Sequence, residues 1–387
     1  MMEIKNATLA SISTDGRGTY GIGASAVERS EDLYTYLRIT DIRDDGTLNM
    51  ADLKSVDDEK ASQYLLEPND IVFARTGAST GRNYFYDGTD GEFVYAGFLI
   101  KFSIDPQKVN PKYVKYYCMS DAYKGWIHSF NTGSTRGNIN AQTLGGMPIP
   151  IPPRQQQDGI VEILSSLDEK IRKNTEINDN LQEQAIAIYS NMFDKADDSW
   201  SSGVLSDIAE ITMGQSPKGD TYNEEGLGTV FFQGRAEFGF RFPTRRLFTT
   251  DPKRMAKAND ALMSVRAPVG DMNVAYEDCC IGRGLSSIRS KDNHQSFVLY
   301  TMFALREELN VFNGEGTVFG SINRDALNSM PISIPPKAIM DQFEEIVAPM
   351  DATIRNNYDE ICRLEAIRDS LLPRLMSGEL DVSNIHI

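Results

Sequence analysis

The stretch Met147-Pro148-Ile149-Pro150-Ile151-Pro152-Pro153, with the residues after it, decides how the chain is read. The prolines mark a strand end. A helical pattern follows, with apolar or small residues at Ile160, Leu164, Leu167, Ile171, Leu181, Ala185, Ile188 and Met192, and with Asn174 and Asn178 in the two remaining places. Alternating short and long steps of this kind make a heptad seam, narrower than the stripe of an ordinary surface helix. The device recurs. Met330-Pro331-Ile332-Ser333-Ile334-Pro335-Pro336 lies 183 positions later (330 − 147). A second seam then runs through Phe343, Val347, Met350, Ile354, Asn357, Ile361, Leu364, Arg368, Leu371 and Leu375. Asn357 follows Asn174 by the same 183 (357 − 174), so a long internal repeat governs the fold assignment.

The repeat orders the chain as domain, helix, domain, helix. The expected boundaries are 1–152, then 153–198 for a long helix and linker, 199–336, and 337–387 for a second long helix and tail. In the first domain Asp70 to Ala74 and Phe93 to Ile100 read as strands, with a glycine-rich turn from Arg75 to Arg82 between them. A short helix is expected from Pro111, capped by Asn110. A polar loop, Gly133-Ser134-Thr135-Arg136-Gly137-Asn138, precedes the proline stretch. The second domain keeps the order. Asn259 to Arg266 parallels Asn69 to Arg75 with one extra residue, and Gly316-Thr317-Val318-Phe319-Gly320 parallels the polar loop. A second helix packing its seam on the first must run back antiparallel. Asn174 and Asn357 then lie near mid-seam and could meet, fixing register at some cost in stability. About 36 helical residues make a spacer of roughly 54 Å.

At 387 residues the chain has room for two or three domains. It shows no long apolar run, so no membrane span is expected, and its start lacks a signal peptide's apolar core. Cys118, Cys279, Cys280 and Cys362 fit neither a disulfide framework nor a zinc site, which points to reduced thiols and a cytoplasmic location. The net charge of −16 is uneven: each long-helix segment holds 5 basic and 10 acidic residues, and the globular parts are nearly neutral. His128, His294 and His386 are scattered singly, and no phosphate-binding loop ending in Gly-Lys-Ser/Thr exists, so neither a catalytic triad nor a metal cluster is expected. Gly16 to Gly21 matches a dinucleotide pattern without the strand and helix that it needs.

The candidate contacts are polar groups suited to phosphates and base edges. The first half offers Arg75, Thr76, Arg82, Ser134, Thr135, Arg136 and Asn138. The second offers Arg235, Arg241, Arg245, Arg246, Arg266 and Thr317. From Arg235 to Lys257, seven basic residues face two acidic ones, an island of +5 in an acidic chain. The alternative for each is structural: an ordinary surface loop, an arginine paired within its domain, or a solvated hairpin.

Taken together, the duplicated domains, the Gly-Ser-Thr loop leading into Pro-Ile-Pro-Ile-Pro-Pro, the long helix after each, Met213-Gly214-Gln215-Ser216-Pro217 with Gly234 downstream, and the ending Leu371-Leu372-Pro373-Arg374-Leu375-Met376-Ser377-Gly378-Glu379-Leu380 resemble the specificity (S) subunit of type I DNA restriction–modification systems. The resemblance spans nearly the whole chain. It implies a mixed α/β protein with two target-recognition domains. Two long helices forming an antiparallel coiled coil separate them, in a pseudo-twofold internal repeat. It implies a non-catalytic subunit whose domains each read one half of a split site on double-stranded DNA. The helices would set the gap and dock two modification subunits. The chain itself would hold no cofactor. S-adenosylmethionine would belong to the modification partner, and ATP and Mg to the restriction subunits. Two rivals remain: a coiled-coil scaffold or adaptor that binds only protein, and the recognition part of a fused restriction–methylation enzyme or a free-standing enzyme, against which the missing cofactor and nuclease motifs argue.

Overall fold

The computed structural model describes residues 4–130, 138–193, 200–266, 268–314 and 320–382. The chain divides into two compact units, Met1–Arg172 with Ile361–Ile387, and Lys173–Glu360. The division crosses both long helices, Arg154–Phe193 and Lys337–Met376, so each unit owns one globular part and a portion of each helix.

In the first unit an antiparallel sheet runs Thr19–Tyr20, Leu99–Ser103, Asp70–Ala74, Asn83–Tyr86. A second sheet runs Ala26–Val27, Lys54–Val56, Tyr34–Leu37, Phe93–Tyr95, its last pair parallel. Strand periodicity explains why Asp70–Ala74 is buried throughout: Ile71 and Phe73 enter the core beneath the helices, and Val72 and Ala74 enter the core of the second sheet. The expected single strand from Phe93 to Ile100 is two strands in different sheets. A tight turn separates them, closed by the Leu99 N–H donating to Ala96 O at 2.8 Å. Pro148–Ile151 pairs with Lys5–Thr8 as a two-stranded ribbon, an arrangement that tolerates the prolines while burying Ile149. Asn110 caps the helix Pro111–Tyr117 as expected, accepting from the Lys112 N–H at 3.0 Å.

The second unit repeats the plan. Its antiparallel sheet runs Ala209–Met213, Leu285–Ser290, Ala261–Val265, Val269–Val274. Its other sheet has five strands and again one parallel pair, Thr229–Phe232 with Cys279–Ile281. Each central strand is entered the same way. Asn69 and Asn259 take left-handed backbone angles (φ 76° and 72°), and the aspartate that follows is buried. Asp70 accepts the Ser103 hydroxyl at 2.5 Å and pairs with Lys101 at 3.0 Å. Asp260 accepts the Ser287 hydroxyl at 2.6 Å and pairs with Arg289 at 2.7 Å.

The long helices pack antiparallel within each unit. In the first, Ile160 and Leu164 share a core with Leu372 and Leu375, and Gln156 holds Leu380 and Val382 by two hydrogen bonds of 3.0 Å. Asp168 accepts from Lys115, Tyr116 and Arg368. Burial works against its charge, but Lys115 and the other donors hold its pKa below the usual range. Gly378, at φ 75°, ends the second helix as expected.

In the second unit Tyr189 and Phe193 meet Phe297 and Phe343. The seam asparagines do not pair as expected. Asn357 donates to Asn178 Oδ1 at 2.9 Å, and Asn178 donates to Ile354 O at 3.4 Å. Asn174 donates to Glu360 Oε2 at 2.8 Å, three residues beyond Asn357 (360 − 357). The antiparallel register is thus offset by about one turn from the one that would join Asn174 to Asn357. Buried amides still find partners.

His294, buried at the start of helix Gln295–Ala304, links this unit to the second long helix. Its Nε2 lies 2.7 Å from Asp341 Oδ1. Asp292 Oδ1 is 2.9 Å from Nδ1, within ion-pair reach but off the line of a good hydrogen bond. Burial opposes the charge, yet the two carboxylates raise the imidazole pKa above its ordinary value. Lys337 pairs with Asp341, and Glu344, whose pKa burial raises, faces the same helix start. A raised pKa adds stability that is complete below the unfolded histidine value and is lost as pH rises through the folded one. Thermal melts should therefore show the wild-type chain gaining stability as pH falls from the alkaline side to the ordinary histidine value, about 6.5. His294→Gln should abolish that gain.

Candidate nucleic-acid interface

In each half the described residues that follow the polar loop pair with the end of the central strand. Ile139 N–H donates to Arg75 O at 2.9 Å, and Thr76 bridges Asn138. In the second unit Ile322 N–H donates to Val265 O at 3.1 Å, and Arg266 bridges Ser321. Asn140 and Asn323 then cap matching short helices. The same junction is therefore built twice. Ser134, Thr135, Arg136 and Thr317 lie outside the described residues.

These bridges correct the alignment of the repeat. Arg266 matches Thr76, 190 positions apart (266 − 76), the interval that also separates Asn69 from Asn259. No residue is inserted, and the counterpart of Arg75 is Val265. A one-residue shift along a strand exchanges its faces, so Arg75 and Arg266 point differently. Arg75 is half-buried, its guanidinium 5.0 Å from the Tyr20 ring centroid, whereas Arg266 is exposed. Close packing beside the junction also repeats. A Cβ on Gly21 would strike the carbonyls of Tyr95 and Ala96, and one on Gly214 would strike that of Gly282, so only glycine fits either place.

The basic island is largely neutralised. Arg241, expected as a DNA contact, is 3% exposed and pairs with Asp351, its guanidinium also donating to the Tyr300 hydroxyl at 3.0 Å. It anchors the globular part to the second long helix. Arg235 pairs with Asp271 at 2.5 Å, Arg245 with Glu277 at 2.5 Å, and Arg246 with Glu237 at 2.7 Å. Lys253 pairs with Asp251, and Lys257 with Asp278. Of the seven, Arg254 alone has no ion partner among the described residues. Most of these carboxylates lie outside the window in sequence, so a local count overstated the field. Arg235, Arg245 and Arg246 stay about half exposed and can still reach a ligand. In the first unit Arg82 is held by Asp44 through two hydrogen bonds and by Ile42 O at 3.2 Å, an intradomain clamp. Among the described residues, Thr76, Asn138 and Arg266 remain at the junction without such a clamp. Residues that the sequence reading passed over, Tyr20 and Phe98, also lie there. The interval between equivalent residues changes from strand to strand, 190 at Arg75 and Val265 (265 − 75) but 183 at Ile139 and Ile322 (322 − 139), so only strand register locates them.

Among the described residues no group of three or more His, Cys, Asp or Glu is placed to hold a metal. No helix among them is long and apolar enough to cross a membrane.

The family model for the type I restriction modification DNA specificity domain matches residues 26–183 and again 197–366. A protein of Methanocaldococcus jannaschii bearing the provisional name type I restriction enzyme MjaX specificity subunit is 29% identical over 376 residues, covering 90% of this chain and 88% of its own. The type I restriction enzyme HindI specificity subunit of Haemophilus influenzae is 20% identical, covering 81% of this chain and 87% of its own. The crystal structure of the type I restriction–modification S subunit from M. genitalium superposes with a TM-score of 0.61 at 15% identity, over 97% of this chain and 96% of that one, a likeness of fold. With two matches that together span most of its length, each holding one of the duplicated junctions, the chain belongs to the type I restriction–modification DNA specificity family.

Proposed function

We propose that this chain is the non-catalytic, DNA-reading subunit of a type I restriction–modification complex in the cytoplasm. Each globular part reads one half of a bipartite site on double-stranded DNA. The two long helices set the gap and carry two modification subunits. Those subunits bring S-adenosylmethionine for adenine methylation, and restriction subunits bring ATP and Mg for cleavage. The observation that carries the reading is the junction built twice on one backbone with different side chains, Thr76 and Asn138 in one unit, Arg266 and Ser321 in the other. Identical readers would recognise a symmetric site, whereas different ones recognise two unlike half-sites. Acidic helices are poor DNA ligands and good partners for a protein surface of opposite charge.

The test is methylome sequencing of the source cell with and without the gene, with the gene's modification subunits expressed. The expected result is loss of N6-methyladenine at one split motif. Methylation that is unchanged, or altered at a continuous motif, would overturn the reading.

A further inference from the structure

Three linked positions at the junction differ between the units. Strand register equates Tyr20 with Met213, Arg75 with Val265 and Phe98 with Gly284. The backbone is the same at each. The Arg75 N–H donates to Phe98 O at 3.0 Å, and the Val265 N–H to Gly284 O at 2.9 Å. In the first unit Arg75 and Tyr20 pack together, and the Phe98 backbone is tied to Arg75. Phe98 is 60% exposed and Tyr20 41% exposed. The Tyr20 hydroxyl accepts from the Ala141 N–H at 3.1 Å, at the helix that follows the polar loop. Arg75 lies over the Tyr20 ring, and its buried Nε has no partner among the described residues.

Phe98 cannot retreat from water. It occupies a turn closed by Ala96 and Leu99, with its carbonyl tied to Arg75, while Leu99 beside it is fully buried. A single exposed phenylalanine is unremarkable on most surfaces. Here it stands on a rigid turn within the junction that the proposed reading assigns to DNA, and the matching position in the second unit is a glycine. Direct readout requires side chains that differ where the half-sites differ, and apolar groups read base surface that hydrogen bonds do not.

Resting on that reading, we propose that Phe98 is a specificity-determining residue of the first unit, its ring contacting the apolar surface of a DNA base. The Arg75 backbone N–H holds the turn, and Tyr20 packs beneath the Arg75 guanidinium. The apolar surface is either a thymine methyl or the face of a base at an opened step.

The test uses the full chain assembled with its modification subunits and a duplex carrying the split motif. Phe98→Ala should weaken specific binding roughly ten- to hundredfold, the range for one base contact. Affinity for unrelated duplex and the slope of log K against log salt should not change, because no phosphate contact is lost. Discrimination should relax within one half-site only, and Phe98→Leu should retain part of it. Uracil in place of thymine, which removes only the methyl, separates the two forms. A loss equal to that of Phe98→Ala assigns the methyl, and undiminished binding assigns the base face. Unchanged affinity and discrimination in Phe98→Ala, relaxation spread over both half-sites, or loss of a modification subunit from the complex would each overturn the proposal. If the wild-type complex itself shows no sequence preference, the DNA reading fails and takes this inference with it.

Discussion

Replacing Arg241 with alanine will destabilise the second unit by about 3–5 kcal/mol, the cost of breaking a buried ion pair from one side. The guanidinium is 3% exposed and serves Asp351, Tyr300 and Gln182 at once. It also lies 5.5 Å from the Tyr300 ring centroid and 6.0 Å from that of Phe303. Its removal leaves a carboxylate and a hydroxyl short of a donor and opens a gap between aromatic rings. Arg241→Met should recover part of the loss, because a flexible apolar chain fills the space without a charge to match. Trp200 packs on Phe193 within this unit, so its fluorescence in a Trp126→Phe background follows the transition. Measured where the variant is still folded, DNA binding by Arg241→Ala should keep the wild-type salt slope. Arg266→Ala, at an exposed arginine of the junction, should flatten that slope by about 0.9 if one phosphate contact is removed. A loss of slope in Arg241→Ala with stability intact would return Arg241 to the DNA surface.

Asp260→Ala should cost about 2–4 kcal/mol. The carboxylate is 2% exposed and accepts from Arg289, Ser287 and the Lys257 N–H at 2.6–2.9 Å. Arg289 is partly exposed and can turn to water once its partner is gone, which sets the figure below that for Arg241. The serine and the backbone N–H have less recourse. They hold the entry to the central strand, whose far end carries Arg266, so the damage should reach the junction. Asp70→Ala is the matched experiment in the first unit, where Glu67 N–H, Ser103 and Lys101 lose their partner. Denaturation of the two variants, followed by Trp200 and Trp126 fluorescence, should show each lowering the midpoint of its own unit. Equal midpoints for wild type and Asp260→Ala would mean that the buried carboxylate contributes nothing to the fold.

The repeat, the two seams and the antiparallel sense of the helices were all legible in the sequence. Each is written as a periodicity or an interval, and local propensity agrees with the global arrangement. The cap at Asn110 and the stop at Gly378 were legible for the same reason, since both are satisfied by neighbours in sequence. What the sequence could not supply was the identity of partners far along the chain. Arg241 and Asp351 are 110 positions apart, and Arg82 and Asp44 are 38 apart, so neither arginine could be recognised as occupied. Counting charge in a window made an anion-binding island of residues that tertiary structure pairs with distant carboxylates. The offset that joins Asn357 to Asn178 is likewise a property of two packed helices and not of either alone. Strand register, finally, decided that Thr76 and not Arg75 is the counterpart of Arg266, because hydrogen-bonded pairing determines which face a side chain takes. The sequence by itself determined the architecture and the family. The tertiary structure decided which of its charged and aromatic groups are left free to meet a ligand.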